Sequence, residues 1–189
     1  MAKLNRENVI AEALDLLDEV GLDAVSTRQL AKRLNVEQPS LYYHFRKKED
    51  LLDAMAEAAM APHATEPLPT PADNWRDWFL ENMRSFRRTL LVHRDGARLH
   101  AGTRPGSTDL DRLAHKMAFL VASGVPERDA QMAMLAAGRY TVGAALEEQA
   151  DHGHSTDSMV DLPQIDPESA FEAGLALIVD GLAHRVERA

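Results

Sequence analysis

The stretch LHAGTRP, residues 99–105, places an imidazole, a hydroxyl and a guanidinium beside two residues that end helices. His100 has the chemistry of a metal ligand or a general base, and Thr103 carries the hydroxyl of a nucleophile. An enzymatic site also needs a carboxylate that orients the imidazole, and the sequence identifies none. The simpler interpretation is a histidine that favours the negative end of a helix, with Gly102 and Pro105 ending that helix.

A second group of side chains, nearer the N-terminus, suits binding to nucleic acid. Between Ser26 and Lys48, six lysines and arginines accompany one glutamate, so this segment carries +5 and the rest of the chain −14. Lysine and arginine bind phosphates by displacing counterions, whereas amide, hydroxyl, aromatic and imidazole groups can read base edges. Groups of the second kind occur at Gln38, Ser40, Tyr42, Tyr43 and His44. A solvated basic face without a partner is the alternative interpretation.

Helices must position both groups, because apolar residues recur at helical spacing and no alternating strand pattern is present. We predict a first helix over 5–21 and a second that begins at a capping box on Ser26. A short third helix is expected over 38–45. A fourth should end at Pro62, because proline lacks the backbone N–H that continues a helix.

The connections between these helices predict how the chain is divided. Residues 35–37 permit only a sharp turn, which predicts a helix-turn-helix. The segment 66–71 alternates prolines and predicts an extended linker before a second helical region. The chain has no cysteine, which excludes disulfides and thiolate metal sites. No stretch reaches the roughly 18 apolar residues of a membrane span, so we expect a cytoplasmic protein.

Several segments resemble the TetR family of repressors, and most of all its tetracycline-responsive members. They are LNRENVI, STRQLAKRLNVEQPSLYYHFRKKEDLLDAM, SFRRTLL, HRDGARLHAGTRP and TVGAALEEQ. The resemblance implies an all-α fold with a three-helix helix-turn-helix DNA-binding domain over 1–48. It further implies a connecting helix over 49–66 and a ligand-binding and dimerisation domain over 67–189. Small residues at 136–138 and 143–145 would let two long helices approach closely in an intersubunit four-helix bundle.

The resemblance also implies the partners and the residues that contact them. A homodimer would bind palindromic double-stranded DNA through Thr27, Arg28, Gln38, Pro39, Ser40, Tyr42, Tyr43, His44 and Lys48. The implied contacts to a small-molecule inducer are Asn82, Phe86, His100, Thr103, Arg104, Pro105, Leu113, Lys116, Met117, Met134, Arg139 and Glu147. His100 would ligate a Mg²⁺ ion chelated by the inducer, and Glu147 would reach that ion through water.

The chain departs from the family pattern at three pocket positions. The pocket histidine is shifted by one position to His63, while Lys116 and Arg139 stand where the family has glutamine and histidine. The loop after residue 149 is shorter than in the family, which leaves Asp161 or Asp166 as the carboxylate that would support the metal.

Together these features predict a transcriptional repressor rather than an enzyme. A tetracycline–magnesium complex would release it from its operator and so control resistance or efflux. The alternative is a repressor of the same family that responds to a different aromatic antibiotic or polyketide without a metal. The choice between these two inducers depends on the extra cationic residues Lys116 and Arg139.

Overall fold

Every regular element is an α-helix in residues 5–103, 107–151 and 166–188, the parts of the chain described by this computed structural model. The helices are α1 Arg6–Val20, α2 Thr27–Arg33, α3 Gln38–Leu41, α4 Lys48–Ala64, α5 Trp75–Val92, α6 Gly96–Ala101, α7 Ser107–Ala122, α8 Glu127–Asp151 and α9 Pro167–Val186. The predicted all-α fold is confirmed.

Local capping explains where the first helices begin and end. The Asn5 side chain accepts a hydrogen bond from the backbone N–H of Asn8 at the start of α1. Gly21 ends α1 with a φ of 78°, a conformation that glycine adopts without steric cost. Ser26 caps α2 by accepting from the backbone N–H of Gln29, and its hydroxyl donates to the Gln29 side chain. The predicted cap at Ser26 is therefore confirmed, whereas Gln29 binds the Ser26 hydroxyl and not the Ser26 backbone N–H that a capping box would use.

Two helices differ from their predicted lengths. α3 ends at Leu41, and residues 42–44 continue as a turn in which the His44 N–H donates to the Leu41 carbonyl. α4 does not end at Pro62 but continues to Ala64. The proline lies in the last turn of α4, where its missing N–H removes one backbone hydrogen bond and only two residues follow.

The first compact unit comprises residues 1–64 and 89–104. Its core is an apolar cluster built by α1, α2, α3, α4 and α6, with Leu17, Leu30, Leu41, Met55 and Leu99 fully or almost fully buried. Burial of one such side chain stabilises the fold by roughly 1.5–3 kcal/mol. α6, which carries His100, therefore shares a core with the helix-turn-helix.

The second unit comprises residues 65–88 and 105–189, so the boundary between the units falls within α5. Its core brings together aromatic and aliphatic residues of α5, α7, α8 and α9, among them Phe79, Leu120, Phe171 and Leu175. Within this unit, α8 packs most extensively against α9. In the described parts of the chain, no helix combines the length and apolar character required to cross a membrane.

The packing differs from the sequence-based division into 1–48, 49–66 and 67–189. α4, predicted as a connecting helix, buries Leu51 and Met55 in the first unit, and residues 89–104 also belong to that unit. Packing follows the buried faces of helices, whereas the sequence division followed the proline-rich linker. The assignment of DNA binding and ligand binding to these ranges stays a prediction.

Candidate functional site

The residues predicted to contact DNA lie on α2, on α3, in the turns after α3 and at the start of α4. The Gln38 side-chain amide donates to the Thr27 hydroxyl at 2.9 Å, which joins α3 to α2. Tyr43 is 91 % exposed and Tyr42 is 47 % exposed. Leu41 is buried in the core and anchors the apolar side of α3. The polar groups of α3 stay accessible.

The remaining predicted DNA contacts are distributed along the same surface. Arg28, Pro39 and Lys48 are exposed, and Ser40 and His44 are half-buried.

One of the cations counted in the sequence has an internal role. Arg33 pairs with Glu12 and Glu19 of α1 at 2.7 and 2.6 Å, and hydrogen bonds from its guanidinium hold its pKa above the ordinary value. The basic face is therefore weaker than the sequence count of +5 implies.

His100 is positioned by α6, which is anchored to the end of α1 and the loop that follows it. The Asp95 carboxylate accepts a hydrogen bond from the backbone N–H of Leu22 at 2.8 Å. Asp95 itself has a φ of 57°, a left-handed conformation that aspartate tolerates better than most residues. Arg98 donates to Asp23 at 2.9 and 3.2 Å, and this hydrogen bonding lowers the pKa of Asp23.

A second set of polar contacts fixes the residues just before α6. Asp18 of α1 accepts from the backbone N–H of Arg94 and pairs with His93 Nδ1, each at 2.9 Å. Arg94 also donates to the Glu19 carbonyl at 3.1 Å. These contacts were not foreseen from the sequence, because the paired residues are more than 70 positions apart. The start of α6 is thus tied to the end of α1.

The C-terminal end of α6 holds the other residues of the LHAGTRP stretch. His100 is half-buried, and the Thr103 hydroxyl donates to the His100 carbonyl at 3.0 Å. That hydrogen bond makes Thr103 a helix-terminating residue and not an activated nucleophile. Arg104 and Pro105 lie outside the described residues.

The predicted ligand contacts of the second unit lie on α5, α7 and α8. Asn82 and Phe86 are half-buried one turn apart on α5. Lys116 of α7 donates from Nζ to Asn82 Oδ1 at 2.6 Å. Met117 and Met134 pack against the apolar cluster of this unit. The contact between Lys116 and Asn82 thus joins α7 to α5 beside an apolar cluster that includes both methionines.

Other predicted pocket residues are more accessible. Leu113 is 43 % exposed, and Arg139 and Glu147 lie exposed on α8. His63 is half-buried in the last turn of α4. Asp166, one of the two candidate carboxylates, caps α9 instead: it accepts from the backbone N–H of Ser169 at 2.9 Å, which lowers the pKa of Asp166. Asp161 lies outside the described residues.

The donor set limits how a metal ion could be held. Among the described residues, no three histidine, aspartate or glutamate side chains form a group suitable for a metal ion. Mg²⁺ requires about six oxygen-rich ligands and usually keeps several waters. One imidazole, at His100, suits an ion that arrives with most of its ligands, such as a chelate.

Arg87 of α5 is a polar residue of this unit that the sequence did not single out. Its side chain is 7 % exposed, and Nη2 donates to Glu148 of α8 at 2.6 Å. The guanidinium also lies 5.1 Å from the centroid of the Phe171 ring. Arg84, one turn earlier, forms a two-fold hydrogen bond with Glu172 of α9. Arg84 and Arg87 stand three positions apart, a spacing that places both on one helix face, and this was the available signal.

Two segments match family models: residues 9–55 match "Bacterial regulatory proteins, tetR family", and residues 66–167 match "Tetracyclin repressor-like, C-terminal domain". The class A tetracycline repressor of transposon 1721 from Escherichia coli is 46 % identical, over 98 % of this chain and 93 % of that protein. Together the two family models cover most of the chain, including both candidate surfaces.

Solved structures give the same result. A TetR-family transcriptional regulator from Streptomyces coelicolor is 69 % identical with a TM-score of 0.77, covering 97 % of each chain. A class A TetR in complex with 5a,6-anhydrotetracycline and magnesium is 47 % identical with a TM-score of 0.83, covering 96 % of this chain and 99 % of that one. These relatives are regulators and not enzymes. The chain belongs to the TetR family of transcriptional repressors.

Proposed function

We propose that the protein binds a palindromic operator as a homodimer and that a tetracycline–magnesium complex releases it, which controls a resistance or efflux gene. The observation that carries this proposal is the anchoring of α6 inside the helix-turn-helix unit. The helix bearing His100 is hydrogen-bonded through Asp95 and Arg98 to Leu22 and Asp23, which lie just before α2.

In this proposal α3 enters the major groove of DNA. Gln38, held by Thr27, would contact a base edge, and the exposed Tyr43 would contact the backbone or a base. Arg28 and Lys48 would add phosphate or base contacts from the ends of the surface. A short helix such as α3 offers few base contacts, so two copies on a palindrome are needed for specific binding.

Apolar residues on α8 and α9 support the proposed dimer. Met132 and Leu135 of α8 are about half exposed, and Leu177 of α9 is 75 % exposed. A side chain added at Gly143 or Gly181 would meet no other atom of the protomer within 4 Å. Exposed apolar groups beside small residues suit close packing against the same helices of a second copy.

The proposed inducer contacts are those that the resemblance to the TetR family implies. His100 would hold the magnesium ion that the drug carries, and Glu147 would contact it through water. The imidazole would supply one ligand to an ion whose other ligands come from the drug and from water. Asn82 and Phe86 would contact the polar edge and the ring face of the drug, with Leu113, Met117 and Met134 as apolar contacts. Thr103, Arg104 and Pro105 would form the turn that responds.

Release then needs only a difference in ligand affinity between two arrangements of α6. A ligand that binds one arrangement better shifts the population towards it, and such couplings are commonly about 1–3 kcal/mol. Because Asp95 and Arg98 contact the loop that leads into α2, movement of α6 would be transmitted to the DNA-reading helices.

Isothermal titration calorimetry tests the ligand half of the proposal. We expect tetracycline to bind in the presence of Mg²⁺ and binding to fall strongly in excess EDTA. His100→Ala should lose this magnesium dependence. His184→Ala, which changes an exposed histidine of α9, should behave as the wild type. Absence of tetracycline binding, or binding that ignores EDTA, would contradict the metal-chelate mechanism.

The contact between Lys116 and Asn82 favours a second candidate function. A cation at the polar edge suits an acidic aromatic antibiotic or polyketide that binds without a metal. The exposed Arg139 would add to this preference if it faces the ligand. EDTA-insensitive binding of such a compound would identify this alternative.

A further inference from the structure

Lys116 fixes the hydrogen-bonding character of Asn82. An ammonium group has only donors, so the 2.6 Å contact from Lys116 Nζ must be accepted by the side-chain oxygen of Asn82. The contact therefore sets the orientation of the amide. This orientation turns the NH₂ donors of Asn82 away from the ammonium, while the amide oxygen already accepts one hydrogen bond.

Two further basic side chains of α7 contact backbone carbonyls of the preceding segment. Arg112, one turn before Lys116 on α7, donates to the Glu66 carbonyl at 2.6 Å, and His115 contacts the Pro69 carbonyl at 2.9 Å. A backbone carbonyl does not neutralise the charge of Arg112. The Glu66 carboxylate lies 3.5 Å from the Ser85 hydroxyl and is the acidic group that these contacts bring to the same segment.

The apolar side of the surface suits an aromatic ring. Phe86 lies one turn after Asn82 on α5, and Met117 follows Lys116 on α7. Met117 packs on the apolar cluster of the second unit, and so does Met134 of α8. Methionines adapt to flat aromatic ligands because they are unbranched and polarizable.

We propose that Lys116 is a specificity-determining residue that makes the Asn82 end of the ligand site select an aromatic ligand bearing an anionic oxygen, such as a carboxylate. Such a group accepts hydrogen bonds from both Asn82 and Lys116, and its charge matches the ammonium. A neutral carboxamide offers one acceptor oxygen in place of two and carries no charge to match the ammonium. The inference rests on the proposed use of α5, α7 and α8 as the ligand site.

A matched pair of tricyclic probes tests this selection: anthraquinone-2-carboxylate and anthraquinone-2-carboxamide, titrated into the full-length protein by calorimetry. We expect the wild type to bind the carboxylate about tenfold more tightly than the carboxamide, because one charge-assisted hydrogen bond is gained. Lys116→Gln should bring the ratio close to one. Lys116→Arg, which keeps the charge, should retain a preference for the carboxylate.

Each outcome decides the inference separately from the proposed function. The role of Lys116 is overturned if the wild type and Lys116→Gln show the same ratio of carboxylate to carboxamide affinity. It is also overturned if neither probe binds. Failure of tetracycline to bind while the carboxylate preference holds overturns the proposed inducer and leaves Lys116 as the selecting residue. Circular dichroism melting curves of the three proteins should coincide, which separates a loss of selection from a loss of folding.

Discussion

Arg87 allows a quantitative test of how the second unit is held together. Its side chain is 7 % exposed, and that of its partner Glu148 is 19 % exposed. Within the described residues, Arg87 Nε has no hydrogen-bond partner, so the guanidinium already carries part of its desolvation cost. Removing one member of a buried ion pair typically costs 3–5 kcal/mol. Since Glu148 keeps some access to water, we expect Arg87→Met to cost about 3 kcal/mol.

Arg84 provides the matched control on the same helix. Arg84 and Glu172 are 37 % and 33 % exposed, and surface ion pairs contribute at most about 1 kcal/mol. Arg84→Met should therefore cost less than about 1 kcal/mol. Adding Glu148→Gln to Arg87→Met removes the carboxylate charge and should recover part of the loss. The double variant distinguishes a charge effect from lost packing on Phe171.

Urea unfolding followed by circular dichroism measures these differences. All variants must be compared at one protein concentration, because the proposed dimerisation would contribute to apparent stability. With a denaturant dependence of about 3 kcal/mol/M, a loss of about 3 kcal/mol lowers the midpoint by about 1 M. Equal midpoints for Arg87→Met and Arg84→Met would refute the reasoning that burial separates the two pairs.

Three further changes test other parts of the structure. The hydrogen bond from Arg84 holds the pKa of Glu172 below its ordinary value of 4.5. The stabilising contribution of this ion pair is therefore present above the ordinary pKa of glutamate and is lost as the pH falls through the pKa of Glu172 in the folded protein. In urea unfolding at a series of pH values, Glu172→Gln should reduce this loss of stability in acid. Ser26→Ala should lower stability by about 1 kcal/mol in the same assay, because α2 loses its cap. Gly174→Ala would drive its new Cβ into the hydroxyl and ring of Tyr140. We expect a loss of stability of about 1–3 kcal/mol and a lower melting temperature.

Local sequence signals predicted the helices well, because their causes are local. Ser26 caps α2, as the sequence predicts, and α1 at 6–20 lies within the predicted range 5–21. The error at Pro62 has a local cause too: proline interrupts a helix interior far more than a final turn. The short α3 reflects packing of Leu41 and Phe45 into the core, which periodicity over so few residues does not resolve.

The candidate site was less predictable, since its geometry depends on residues far apart in sequence. The resemblance supplied His100 and Asn82, but not the hydrogen bond that Lys116 makes to Asn82 across 34 positions. The tie between Asp95 and Leu22 spans 73 positions and depends on a left-handed aspartate. Asp166 was considered as a metal support because of its charge, whereas its position before α9 makes it a cap.

Release of DNA by the proposed inducer tests the central claim most directly. A palindromic duplex selected from a random library by the full-length protein would be labelled and followed by fluorescence anisotropy. We predict that tetracycline with Mg²⁺ releases the duplex, that excess EDTA prevents the release, and that His100→Ala binds the duplex but is not released. Retention of the duplex by the wild type in saturating tetracycline and Mg²⁺, or release that persists in EDTA, would contradict the account.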